Sequence, residues 1–89
     1  MEIAPGQVVF SKAGRDADRK FIIIEVVDTL HVLISDGDLR KIEKPKKKKI
    51  KHLKITNEVY RPINEKLQNG LKVSNSEIRK ALAVNGNER

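Results

Sequence analysis

A chain of 89 residues is enough for one small domain and not for two. It has no cysteine, which excludes a disulfide framework and a cysteine zinc site, and its longest apolar run is far too short to span a bilayer. The net charge of +7 is concentrated: residues 1–39 carry four basic and seven acidic side chains, residues 40–54 nine basic and one acidic, and residues 56–89 six basic and four acidic.

Taken in chain order, Pro5-Gly6 marks a turn, and residues 7–11 read as a strand with Val8 and Phe10 on one face. Residues 12–20 are polar and hold Gly14, as a loop between strands does. Residues 21–28, rich in isoleucine and valine, give the strongest strand signal. Thr29 and Leu30 form the tip of a tight turn, residues 31–35 a third strand, and Asp36-Gly37 a turn dipeptide. Residues 39–43 read as a fourth strand, followed by Pro45 and a lysine arm. Leu53 and Ile55 alternate with polar neighbours in a fifth strand. Pro62 suits the first turn of a helix that ends at Gly70. Ser74 and Glu77 fit a capping box, Val73 and Ile78 its hydrophobic staple, and Gly86 the end of the last helix.

Five short strands in about fifty residues imply a closed barrel, because closure removes edges that so small a domain cannot otherwise cover. Strict alternation from a solvated Glu25 places Ile22, Ile24 and Val26 inside, with Val8, Phe10, Val32, Ile34, Leu53 and Ile55. Ile23, Val27 and Leu33 then face outward and need a cover, which the C-terminal helices supply. The fold class is mostly β: a small closed barrel of about five strands with a short helical tail. The barrel takes residues 1–56, including a basic arm at 40–54, and a helical extension at 57–89 packs on it.

No catalytic set is visible. His31 and His52 are the only histidines, and HExxH, P-loop and GxGxxG patterns are absent. Asp16, Asp18, Asp36 and Asp38 lack the spacing of an EF-hand loop. The chain reads as a non-enzyme without cofactor or metal. The charge run attracts a polyanion through counterion release, or is simply a solvated lysine stretch. The loop at Gly14 admits two readings as well. Lys12, Arg15, Arg19 and Lys20 flank phosphates there, or Gly14 merely shapes a turn.

Gly6-Gln7-Val8-Val9, Ala13-Gly14-Arg15-Asp16, the apolar strand ending at Asp28, and Val32-Leu33-Ile34 before Asp36-Gly37 resemble a KOW motif. With Lys51-His52-Leu53, Thr56 and a last helix opened by Ser74, the chain is similar to the archaeal and eukaryotic large-subunit ribosomal protein family numbered fourteen. The resemblance is good over residues 5–56 and weaker beyond. It implies an SH3-like barrel on structured RNA, typically ribosomal RNA, with Lys12, Gly14, Arg15, Arg19 and Lys20 at the RNA and Lys51, His52 and Leu53 matching a family segment. Two departures stand out. Asp18 occupies the place of a second glycine, where its carboxylate repels phosphate. The lysine-rich segment looks more like an arm laid on phosphates than a base-reading surface, which reads as a bacterial relative of the ribosomal protein rather than a core ribosomal protein.

These readings converge on a cytoplasmic RNA-binding protein that docks electrostatically on ribosomal RNA or the ribosome. Lys46, Lys47, Lys48, Lys49, Lys51 and Lys54 meet phosphates, and Arg15, Arg19, Arg40 and Lys41 add fork or groove contacts. No membrane is implied, and the oligomeric state is open. With three aromatic residues, stacking on bases is not expected to dominate. The rival reading is a protein-interaction module docking on an acidic ribosomal or transcription protein, with Tyr60 and an exposed apolar face as anchors.

Overall fold

Strands form where β-branched residues alternate or run together. In the computed structural model, which describes residues 3–12 and 17–86, they are β1 (Gln7–Ser11), β2 (Lys20–Val26), β3 (His31–Ser35), β4 (Lys46–Lys49) and β5 (Leu53–Val59). Every pairing is antiparallel, in the order β4-β3-β2-β1-β5. A 3-10 turn at Ile50–His52 carries the chain from one edge strand to the other. Helices α1 (Arg61–Gln68) and α2 (Asn75–Gly86) complete the mostly β, SH3-like fold that the sequence predicts.

Gly6 shows why the chain enters β1 as it does. Its φ of +89° suits glycine, its N–H donates to the Ile23 carbonyl at 2.7 Å, and its carbonyl accepts from Tyr60 N–H at 2.9 Å. A Cβ there would lie 2.8 Å from the Asn64 Cβ, so the turn also seats α1.

The two faces of the sheet are each covered. Val9, Phe21, Ile23, Val32, Ile34 and Leu53 form the barrel interior. Val8 and Ile22 point the other way and pack under Ile63, Val73, Ile78, Ala81 and Leu82 of the helical segment. This reverses the expected faces of β2, and the cause is a bulge. Ile23 pairs with Ile34, but Glu25 pairs with Leu33 and Val26 with Val32, so Ile24 is the extra residue. Alternation counted back from Glu25 is therefore off by one for Phe21, Ile22 and Ile23. Val26 stays 40% exposed rather than buried with Val32. The helices cover Ile22, not Ile23, Val27 and Leu33.

The basic segment departs from expectation too. Residues 39–43 form turns rather than a strand, and the four lysines are not a loose arm. They are β4, paired residue by residue with β3: Lys46 with Ile34, Lys47 with Leu33, Lys48 with Val32 and Lys49 with His31. The expected closure by strand pairing is absent among the described residues: β4 and β5 are the two edges of the sheet, and at an edge lysines are favoured because their charge blocks pairing with another chain.

The C-terminal signals hold. Pro62 lies in the first turn of α1, and Gly70, at φ +71°, follows its end. Ser74 Oγ accepts from Glu77 N–H at 3.1 Å while Glu77 Oε1 accepts from Ser74 N–H at 2.8 Å. Val73 and Ile78 are both buried beside it.

Candidate nucleic-acid interface

The turn after β3 is built around a buried acid. Asp36 is 5% exposed, and its Oδ1 accepts from Asp38 N–H at 2.9 Å and Arg40 N–H at 2.8 Å. Its Oδ2 accepts from the Arg19 guanidinium at 2.8 Å. Burial pushes this carboxyl up, but those backbone donors and Arg19 outweigh it and hold it below the ordinary value. Ser35 Oγ closes the loop by donating to the Arg40 carbonyl at 2.6 Å. Arg19 thus enters this turn through its side chain, and Arg40 through its backbone N–H and carbonyl. Arg40 is half-buried, and Lys41 beside it is exposed.

The lysine strand splits its charge between two faces. Lys46 and Lys48 share the inward side with Ile34 and Val32 and are half-buried. Lys47 and Lys49 are exposed on the outward side with Leu33 and His31. Same-face residues of a strand repeat every ~7 Å, similar to successive phosphates along a nucleic-acid strand. Lys49 and exposed Lys51 then border a concavity of about 340 Å³ with Thr29, Leu30 and Ile50. The Ile50 N–H donates to the Leu30 carbonyl at 2.8 Å and holds the two turns together. At that tip Asp28 Oδ1 accepts from Leu30 and His31 N–H, both at 2.8 Å. The Leu30 N–H, with the His31 side chain, holds the Asp28 carboxyl below the usual range.

A second basic group gathers where β1 meets β5. Lys12 N–H donates to the His52 carbonyl at 3.0 Å, so Lys12 lies beside exposed His52. Phe10 pairs with Lys20 on β2 and with Lys54 on β5, which sets the three side chains in one row across the sheet. The Lys20 ammonium lies 5.9 Å from the centre of the Phe10 ring. Phe10, Ser11, Lys12, Asp18 and Lys54 border a concavity of about 360 Å³. Sequence reasoning missed Phe10 by placing it inside the barrel. Its parity with Val8 was read correctly, but that face is the one turned toward the helices, and Phe10 lies at the strand end beside Ser11 and Lys12. Asp18, which stands where the resemblance expects a glycine, has a φ of +68°, the left-handed backbone that a glycine adopts freely.

Lys12, Lys47, Lys49, Lys51, His52 and Lys54 are therefore exposed along one path from β4 through the 3-10 turn to the β1–β5 pair. Gly14 and Arg15 lie outside the described residues. Among the described residues, no three His, Asp or Glu side chains are grouped as a metal ion requires. No described helix is long and apolar enough to cross a membrane.

No family model matches the chain. It is similar to the large ribosomal subunit protein eL14 of Desulfurococcus amylolyticus, with 33% identity over 81 residues, spanning 91% of this chain and 77% of that protein. With identity at that level along nearly the whole chain, this protein belongs to the eL14 family of large ribosomal subunit proteins.

Proposed function

We propose that this chain is a non-enzymatic component of the large ribosomal subunit that binds structured ribosomal RNA by its basic edge. The observation that carries this reading is the lysine strand. Pairing with β3 spaces Lys47 and Lys49 on one exposed side, and Lys51 and Lys54 continue the charge across the turn. A paired strand loses less freedom on binding than a loose arm, so more of each phosphate contact is retained as affinity. Lys41, Lys12 and His52 extend the surface, and Gly14 and Arg15 are the loop contacts that the family resemblance adds. Recognition is by backbone and shape, with weak sequence preference over most of the interface. The working place is the cytoplasmic ribosome.

The test is the salt dependence of binding to large-subunit ribosomal RNA. Each phosphate neutralised contributes roughly −0.7 to −0.9 to the slope of log affinity against log salt. Lys47→Gln with Lys49→Gln removes two exposed charges and leaves half-buried Lys46 and Lys48 in place. The slope should become shallower by about 1.5, with an unchanged melting temperature. An unchanged slope would return the lysines to the role of a solvated edge.

A further inference from the structure

The row Lys20–Phe10–Lys54 is not explained by phosphate docking alone. An aromatic ring at a strand end, on the sheet face but outside the cluster under the helices, adds little to the core. It is half-buried, and it borders a concavity rather than filling one. Lysines flank it on both neighbouring strands, and Lys12 stands at the end of its own. The one discordant group is Asp18, whose carboxylate shares the concavity with Lys12 and Lys54. A site for phosphate alone gains nothing from a carboxylate. A nucleotide site does gain, because a base presents N–H donors on one edge while its phosphates lie away from that edge.

From this arrangement we infer that Phe10 is the stacking platform for one unpaired base, with Lys54 and Lys12 on the adjoining phosphates and Asp18 accepting from the base edge. This rests on the RNA-binding reading above and assigns part of it to a single-stranded nucleotide. The Lys20 ammonium stands over the ring at 5.9 Å and adds positive charge beside the base. Asp18 is anchored, since its N–H donates to the Ser11 carbonyl at 2.8 Å and Ser11 N–H donates to the Arg19 carbonyl at 3.0 Å. A guanine fits this carboxylate best, because its N1–H and N2–H donors lie side by side and match the two oxygens.

The chain has no tryptophan, so Phe10→Trp creates a single fluorescent reporter at the platform. The probes are a single-stranded uridine hexanucleotide with one central guanosine, the same with uridine throughout, and a blunt RNA duplex. The guanosine probe should quench the tryptophan, and the duplex should leave it bright. In the parent protein, Phe10→Leu should weaken binding of the guanosine probe by about tenfold, while Phe10→Tyr retains it. Asp18→Asn, which tolerates the same backbone, should abolish the preference for guanosine over uridine. Binding to large-subunit ribosomal RNA is measured beside these. Retained ribosomal RNA binding with no quenching and no loss in Phe10→Leu overturns the stacking site and leaves the broader reading intact. A parent protein that binds neither the hexanucleotides nor the ribosomal RNA overturns both. Thermal melts of each variant separate a lost platform from a lost fold, and Phe10→Tyr keeps the test decisive if Phe10→Leu unfolds.

Discussion

Asp36 carries its charge almost out of solvent because three donors converge on it: two backbone N–H groups and the Arg19 fork. Its neighbour Gly37 adopts φ +75°, and a Cβ there would lie 2.5 Å from the Asn75 carbonyl oxygen, so the turn brings the loop against the start of α2. Arg79 from α2 donates to the Gly37 carbonyl at 2.7 Å and fixes the contact. A carboxyl held below its ordinary value of 3.8 stabilises the fold fully above that value, and the contribution is lost as pH falls through its lower folded value. Asp28, Glu43 and Glu77 are lowered as well, by hydrogen bonds from Leu30 N–H, the Asn75 amide and the Lys66 ammonium respectively. Stability should therefore be level above about pH 5 and decline below pH 4. Asp36→Asn should cost roughly 1–3 kcal/mol at neutral pH, since it leaves Arg19 without its charged partner. It should also flatten the acid decline, which urea titrations at pH 7 and pH 3 measure directly. An acid decline as steep as in the parent would show that Asp36 is not a main source of it.

At the scale of elements, the last helix and the lysine strand differ in how openly the sequence states them. The capping box is written in two residues whose bonds need nothing beyond the local backbone, so Ser74, Glu77 and the Val73–Ile78 staple were legible in advance. Ser74→Ala should cost about 1 kcal/mol, or a fall in melting temperature of roughly 4–8 °C. Ser74→Asp should restore most of that, whereas an unshifted melting curve would mean that the cap contributes nothing. Strands β1 and β3 were equally plain. The bulge at Ile24 was not, because it is imposed by the pairing of β2 with β3 and leaves no mark in an unbroken run of isoleucine and valine. Nor was β4, since four lysines read as repelling charges until β3 offers a partner for each. The site divides in the same way. The exposed lysines could be listed from composition, but the pairing of Arg19 with Asp36 and the placing of Phe10 between Lys20 and Lys54 both depend on which strands become neighbours.

At the scale of the whole molecule, one sheet separates two apolar clusters, and β2 contributes to both. Phe21 and Ile23 belong to the barrel interior, and Ile22 belongs to the layer beneath the helices. Neither cluster can loosen without disturbing the strand that serves the other. Strand β5 adds a second tie, because it runs on to Val59 and leads through Tyr60 into α1. Bonds to side chains span the irregular stretch of β5 against β1: Gln7 Nε2 donates to the Thr56 carbonyl at 2.7 Å, and Thr56 Oγ1 donates to the Val8 carbonyl at 2.6 Å. The helical segment should accordingly unfold with the barrel and not before it. Ile78→Ala in the helix layer and Ile34→Ala in the barrel interior each remove a fully buried side chain. Each should cost about 2–5 kcal/mol, a large share of the total stability of a domain this size. If the sheet couples the clusters, both variants shift a single transition, seen alike by helical circular dichroism and by exchange of the β2 amide protons. If Ile78→Ala melts the helices first and leaves the β2 amides protected, the helical segment is a separate unit resting on the barrel, and the shared strand does not bind the two together.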